Sequence, residues 1–93
     1  MESPPTIGLP HDLLSRYIYI AMRPAVPEQT EAAWFCDLPK FPGVWAEGES
    51  VKGCLDTLQE VLQEWLILKI ADGDLDIPVL DEIDLTVLSQ RYR

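Results

Sequence analysis

Few residues in this chain are of the types that do chemistry, and their spacing decides what they can do. His11 is the one histidine, in a proline-flanked segment before any patterned element, and it reads as a solvated surface residue. A catalytic role would require a partnered nucleophile or a metal. Asp72-Gly73-Asp74-Leu75-Asp76 has the alternating carboxylates of a calcium loop. Counting from Asp72, however, the sixth position is Ile77 rather than glycine, and the twelfth is Ile83 rather than the bidentate glutamate such a loop needs. Glu47 and Glu49 share one face of an expected strand, with Asp37 beside the strand before it. A metal-dependent nuclease would need a third carboxylate close enough to share the ion, and a solvent-facing row is the simpler reading. Cys36 and Cys54 are too few and too far apart in sequence for a disulfide scaffold or a cysteine-based zinc site. Both fall at apolar positions, so they are expected as buried, reduced thiols acting as small hydrophobes. Trp34, Trp45 and Trp65 could stack a ring, but core or interface packing is the commoner use. There is no nucleophile elbow, phosphate-cradling glycine loop or dinucleotide fingerprint. These residues point to no catalytic, cofactor-binding or metal site, and so to a protein that is not an enzyme.

The charge is more informative. The net charge is −9 over 93 residues. Asp74, Asp76, Asp81, Glu82 and Asp84 follow one another with no basic residue among them. Nucleic-acid binding relies on Lys and Arg displacing counterions, so direct binding of DNA or RNA is disfavoured. A basic protein partner suits this chain better, because complementary potentials steer association. The five carboxylates are the candidate contacts for it. No apolar run approaches the roughly 20 residues of a membrane span, and the first residues lack a basic then apolar leader pattern. A cytoplasmic protein is the expectation.

Apolar residues make up 47% of the chain, enough for one small core. Residues 1–10 are proline-rich and expected to be irregular, with one helical turn over 11–15. Residues 17–23 alternate, with Ile18, Ile20 and Met22 on one face and Tyr17, Tyr19 and Ala21 on the other, and are expected as a strand. A loop over 24–30 leads to a second strand over 31–37, then a turn at Pro42-Gly43 and a third strand over 43–49. From Val51 the apolar residues Val51, Cys54, Leu55, Leu58, Val61, Leu62, Trp65 and Leu66 recur every three or four places, the mark of a helix burying one stripe. Ser50 is placed to cap it; Gly53 removes the capping-box partner, and Asp72-Gly73 reads as the exit. A short edge strand over 77–80 tolerates Pro78, and 81–93 forms a tail. The expected fold is α+β: an antiparallel three- to four-stranded sheet with one long helix on one face, in the order β-β-β-α-β. The expected organisation is an extension over 1–16, a domain over 17–80 and the tail. One helix covers one face of a sheet, so the other, carrying Tyr17 and Tyr19, is expected to be buried, first by self-association in a C2 homodimer and second by the N-terminal segment or the C-terminal tail folding back.

Pro42-Gly43, then Gly48-Glu49-Ser50, then Trp65-Leu66 and Ile77-Pro78 together resemble the signature of the HicB-like antitoxin family, over roughly residues 17–79. Two departures stand out: Gly53-Cys54 where Glu-Ala is common, and an extra-looking Lys40-Phe41 in the turn. The resemblance implies a fold similar to part of ribonuclease H. It also implies neutralisation, by direct binding, of a small basic (HicA-like) toxin that cleaves messenger RNA. Many relatives carry a C-terminal DNA-binding domain. Residues 81–93 are too short for a helix-turn-helix, so operator binding is not expected. The alternative is an orphan domain of this fold, acting as a homo-oligomeric adaptor or small-ligand-binding module.

Overall fold

The computed structural model describes residues 9–74 and 76–86. It is an α+β fold in which a three-stranded antiparallel sheet packs on a long helix, in the order α1 (Leu9–Met22), β1 (Glu28–Gln29), β2 (Trp34–Asp37), β3 (Trp45–Gly48) and α2 (Val51–Ala71). The class and the sheet-on-helix layering are as expected; the first element is not. Residues 17–22, expected as a strand, are the C-terminal half of α1. Their apolar run satisfies a period of two, but Leu14, Tyr17, Ile18 and Ala21 also fall at helical spacing, and that stripe is what packs on the core. The helix runs on through position 17, and Pro24 follows its end.

The first strand of the sheet lies instead in the expected loop. β1 pairs with β2, Glu28 opposite Phe35 and Gln29 opposite Trp34. Thr30 closes the hairpin: its N–H and hydroxyl both donate to the Ala33 carbonyl, at 2.7 and 2.8 Å. β2 pairs with β3 from Trp34 opposite Gly48 to Asp37 opposite Trp45. Between them Gly43 turns at φ 87°, and the Val44 N–H donates to the Phe41 carbonyl at 3.0 Å. Lys40-Phe41 is no idle insertion, because Phe41 is buried and meets both Tyr17 and Trp65 edge-to-face, with centroids 6.2 and 5.5 Å apart.

Ser50 caps α2, accepting the Gly53 N–H at 3.0 Å, and Cys54, Leu58, Leu62 and Leu66 form its buried stripe. The exit is a Schellman turn: Gly73 at φ 71° donates to Ile70, and Asp74 donates to Lys69. At the entrance Gly48 lies under the first turn, where an added Cβ would sit 2.6 Å from the Cys54 nitrogen. Beyond α2, residues 77–80 do not join the sheet as an edge strand. Leu80 instead bridges Ile83 across a two-residue turn, while Ile77, Leu80 and Leu85 are buried in the core. The expected boundary at 80/81 therefore falls inside a packed segment; of the expected tail, residues 87–93 lie outside the described residues.

Candidate partner-docking face

The sheet's inner face sends Cys36 and Ala46 into the core against α2. Side chains alternate along a strand, so Phe35, Asp37, Trp45 and Glu47 stand on the outer face, and Glu28 joins them as the partner of Phe35. Phe35 and Trp45 stack, with centroids 6.0 Å apart and planes 30° from parallel. Trp45 remains 53% exposed. Around this pair stand three exposed carboxylates, Glu28, Asp37 and Glu47. The β2–β3 turn extends the face into an open groove of about 470 Å³ whose charged lining is Asp37 and Glu47. The ion pairs Lys52–Asp56 and Lys69–Asp74 lie elsewhere, on α2 and at its exit. This face offers two aromatic planes and a ring of hydrogen-bond acceptors, a chemistry matched by guanidinium and ammonium groups.

Of the residues singled out for self-association, Tyr17 is at 0% exposure and cannot contribute to any surface. Its hydroxyl donates to the Pro78 carbonyl, tying α1 to the segment after α2. Burial, with Asp84 adding, pushes its phenol up to about 12. Tyr19 is 70% exposed, with the Arg23 guanidinium 5.8 Å from its ring centre. Both lie on a helix rather than on the sheet, and the uncovered sheet face belongs to Phe35 and Trp45.

The acidic residues after α2 have separate roles. Asp74 pairs with Lys69 at 3.0 Å and accepts the Asp76 N–H at 2.8 Å, and those bonds, the Asp76 one foremost, lower its pKa. Asp84 accepts from the Thr86 hydroxyl and N–H, which lower its pKa likewise. Asp76 is exposed. Asp81 and Glu82 form the exposed tip of the Leu80–Ile83 turn, with Asp81 also lining a groove of about 690 Å³ beside Arg23 and Lys40.

Among the described residues no group of three or more His, Cys, Asp or Glu side chains gathers as a metal site would require. His11 lies in α1. The tryptophans go separate ways, Trp65 packing on Phe41 under Lys69, Trp45 stacking on Phe35, and Trp34 lying half-buried against the core. The cysteines are buried as expected, yet the fold brings their sulfurs to 2.8 Å, which their spacing in sequence does not suggest. The candidate face is half legible in the sequence. The parity of β2 puts Phe35 opposite Cys36, but only the register across the Pro-Gly turn brings Trp45 beside it.

Fold and face together define a small two-layer α+β domain with an acidic, aromatic sheet surface. A family model described as UPF0150-like matches residues 16–78, and the chain belongs to that family. The crystal structure of TTHA0281 from Thermus thermophilus is similar to it, with a TM-score of 0.69 and 36% identity, covering 76% of this chain and 89% of that one. None of the curated proteins matches. Among the described residues no helix is long and apolar enough to cross a membrane.

Proposed function

We propose that this chain is a non-catalytic, antitoxin-like protein that binds and neutralises a small basic toxin cleaving messenger RNA. The observation that carries the reading is the stack of exposed Trp45 on half-buried Phe35, framed by Glu28, Asp37 and Glu47, in a chain of net charge −9. Membership of the UPF0150-like family, with its HicB-like association, agrees with it. An arginine or lysine that a toxin uses to hold RNA phosphates meets here an aromatic plane with carboxylates beside it. A cation over an aromatic face contributes roughly 0.5–2 kcal/mol depending on desolvation. Occupying those cations denies them to RNA. The acidic tip at Asp81 and Glu82 adds to the field that draws such a partner in.

The test is recovery of partners on the tagged chain from its native cell extract at moderate and then high salt. A small basic protein that is released as salt rises, and whose ribonuclease activity this chain suppresses, supports the reading. Recovery of the chain alone overturns it.

A second reading, an orphan homo-oligomeric adaptor, draws support from β3. It is an edge strand of the sheet and carries the exposed Trp45, so a second copy could pair along it. Its sign would be a homodimer in solution with no basic partner.

A further inference from the structure

We propose that Cys36 and Cys54 form a redox pair, closing in the presence of a low-molecular-weight disulfide into an intramolecular bond that staples β2 to the first turn of α2. The two residues belong to different elements, yet their sulfurs lie 2.8 Å apart, against about 2.05 Å in a covalent disulfide. Gly48 permits this approach, since any side chain there would strike the Cys54 backbone. Among the described residues the other hydrogen-bond partners of the sulfurs are backbone carbonyls: Cys54 for Cys36, at 3.6 Å, and Trp34 and Ala46 for Cys54, both at 3.5 Å. These accept thiol hydrogens and do not block a bond between the sulfurs.

In the closed fold the pair is shielded, with Cys36 at 1% and Cys54 at 0% exposure. Burial first, and then the hydrogen bond to Cys54, pushes the Cys36 thiol up to about 12. A thiolate is the attacking species, so the pair reacts when α2 opens at its start. That turn is the weaker end of the helix: it has no acidic residue to favour the N-terminus and it contains Gly53, so the Ser50 cap and the exposed Lys52–Asp56 pair are what hold it.

Once the turn lifts, Cys54 loses its proton and its thiolate attacks one sulfur of the small disulfide. The S–S bond breaks, one small thiolate leaves, and a mixed disulfide remains on Cys54. While the turn is still open to water, Cys36 gives up its proton and attacks the Cys54 sulfur, expelling the second small thiolate. The two protons end on the two released thiols; the protein loses two hydrogens and the oxidant is reduced. Cys36 sits between Phe35 and Asp37, so the staple fixes from behind the strand that presents those two side chains to the outer face.

The experiment equilibrates the full chain in glutathione buffers from fully reduced to fully oxidised, then alkylates it under denaturing conditions and measures its intact mass. The expected product is lighter by two hydrogens, takes no alkyl group and no glutathione, and reverts with dithiothreitol. Its thermal midpoint is higher by about 10 °C or more, as a loop of this size implies. The Cys36→Ser variant stops at the glutathione adduct of Cys54. Two alkylated thiols at every ratio, even after unfolding and refolding in the oxidised buffer, overturn the proposal. So does a wild-type chain that accumulates glutathione adducts or covalent dimers instead.

Discussion

Gly48 has no side chain because the first turn of α2 lies where one would be. A Cβ there meets backbone at 2.6 and 2.9 Å, which no rotamer change relieves. Gly48→Ala is therefore expected to destabilise the fold by about 2–3 kcal/mol in chemical denaturation, through forced separation of helix and sheet. Tyr17 makes the opposite kind of contribution, a buried phenol whose hydroxyl satisfies the Pro78 carbonyl. Tyr17→Phe leaves that carbonyl unpaired and is expected to cost about 1–2 kcal/mol. The same phenol sets an alkaline limit. Its folded pKa, pushed up to about 12, lies above the unfolded value near 10, so its contribution is complete below pH 10 and lost as pH rises to about 12. Unfolding midpoints across that window should fall more steeply for the wild type than for Tyr17→Phe. Equal slopes would show that the phenol is not shielded.

At the scale of elements, the Leu80–Ile83 turn holds Asp81 at φ 47° and Glu82 at φ 68°, a left-handed pair that favours glycine and asparagine. Glu82→Gly is expected to stabilise by up to about 1 kcal/mol, the relief of left-handed backbone exceeding the entropy glycine adds to the unfolded chain. The β2–β3 turn depends on its anchor, and Phe41→Ala, which empties the space between Tyr17 and Trp65, is expected to cost about 3–5 kcal/mol. Both are read from denaturation midpoints. These elements also show what is legible in the sequence. Ser50, the stripe from Cys54 to Leu66 and Gly73 locate α2 because capping, period and the left-handed exit are all local chemistry. The Pro42-Gly43 turn places β3 for the same reason. Residues 17–22 mislead because a short apolar run satisfies both periods. What decides between them lies outside the run: Leu13 and Leu14 upstream extend the helical stripe, while Glu28 and Gln29 supply the missing strand. Pro78 reads locally as an edge-strand residue, but its carbonyl serves Tyr17 instead, a contact 61 positions apart that no local pattern announces.

The chain carries its excess negative charge on a fold in which, among the described residues, one sheet face is covered by α2 and the other is open. On the proposed reading, that asymmetry turns a solubility property into a recognition property. Carboxylates scattered over a surface only repel other copies, whereas Glu28, Asp37 and Glu47 around exposed Trp45 and half-buried Phe35 can select a cation. Binding there should weaken with salt, since exposed charges are screened over about 8–10 Å at physiological ionic strength. The proposed basic partner sits on this face, and reversing the charge of the face tests that most directly. The captured partner's affinity is measured for the wild type and for the chain carrying Asp37→Lys and Glu47→Lys, after confirming that both are folded. The expected result is a loss of about tenfold or more, a steeper loss of wild-type binding with salt, and ribonuclease suppression by the wild type alone. Equal affinity and equal suppression by both chains would contradict the assignment of this face.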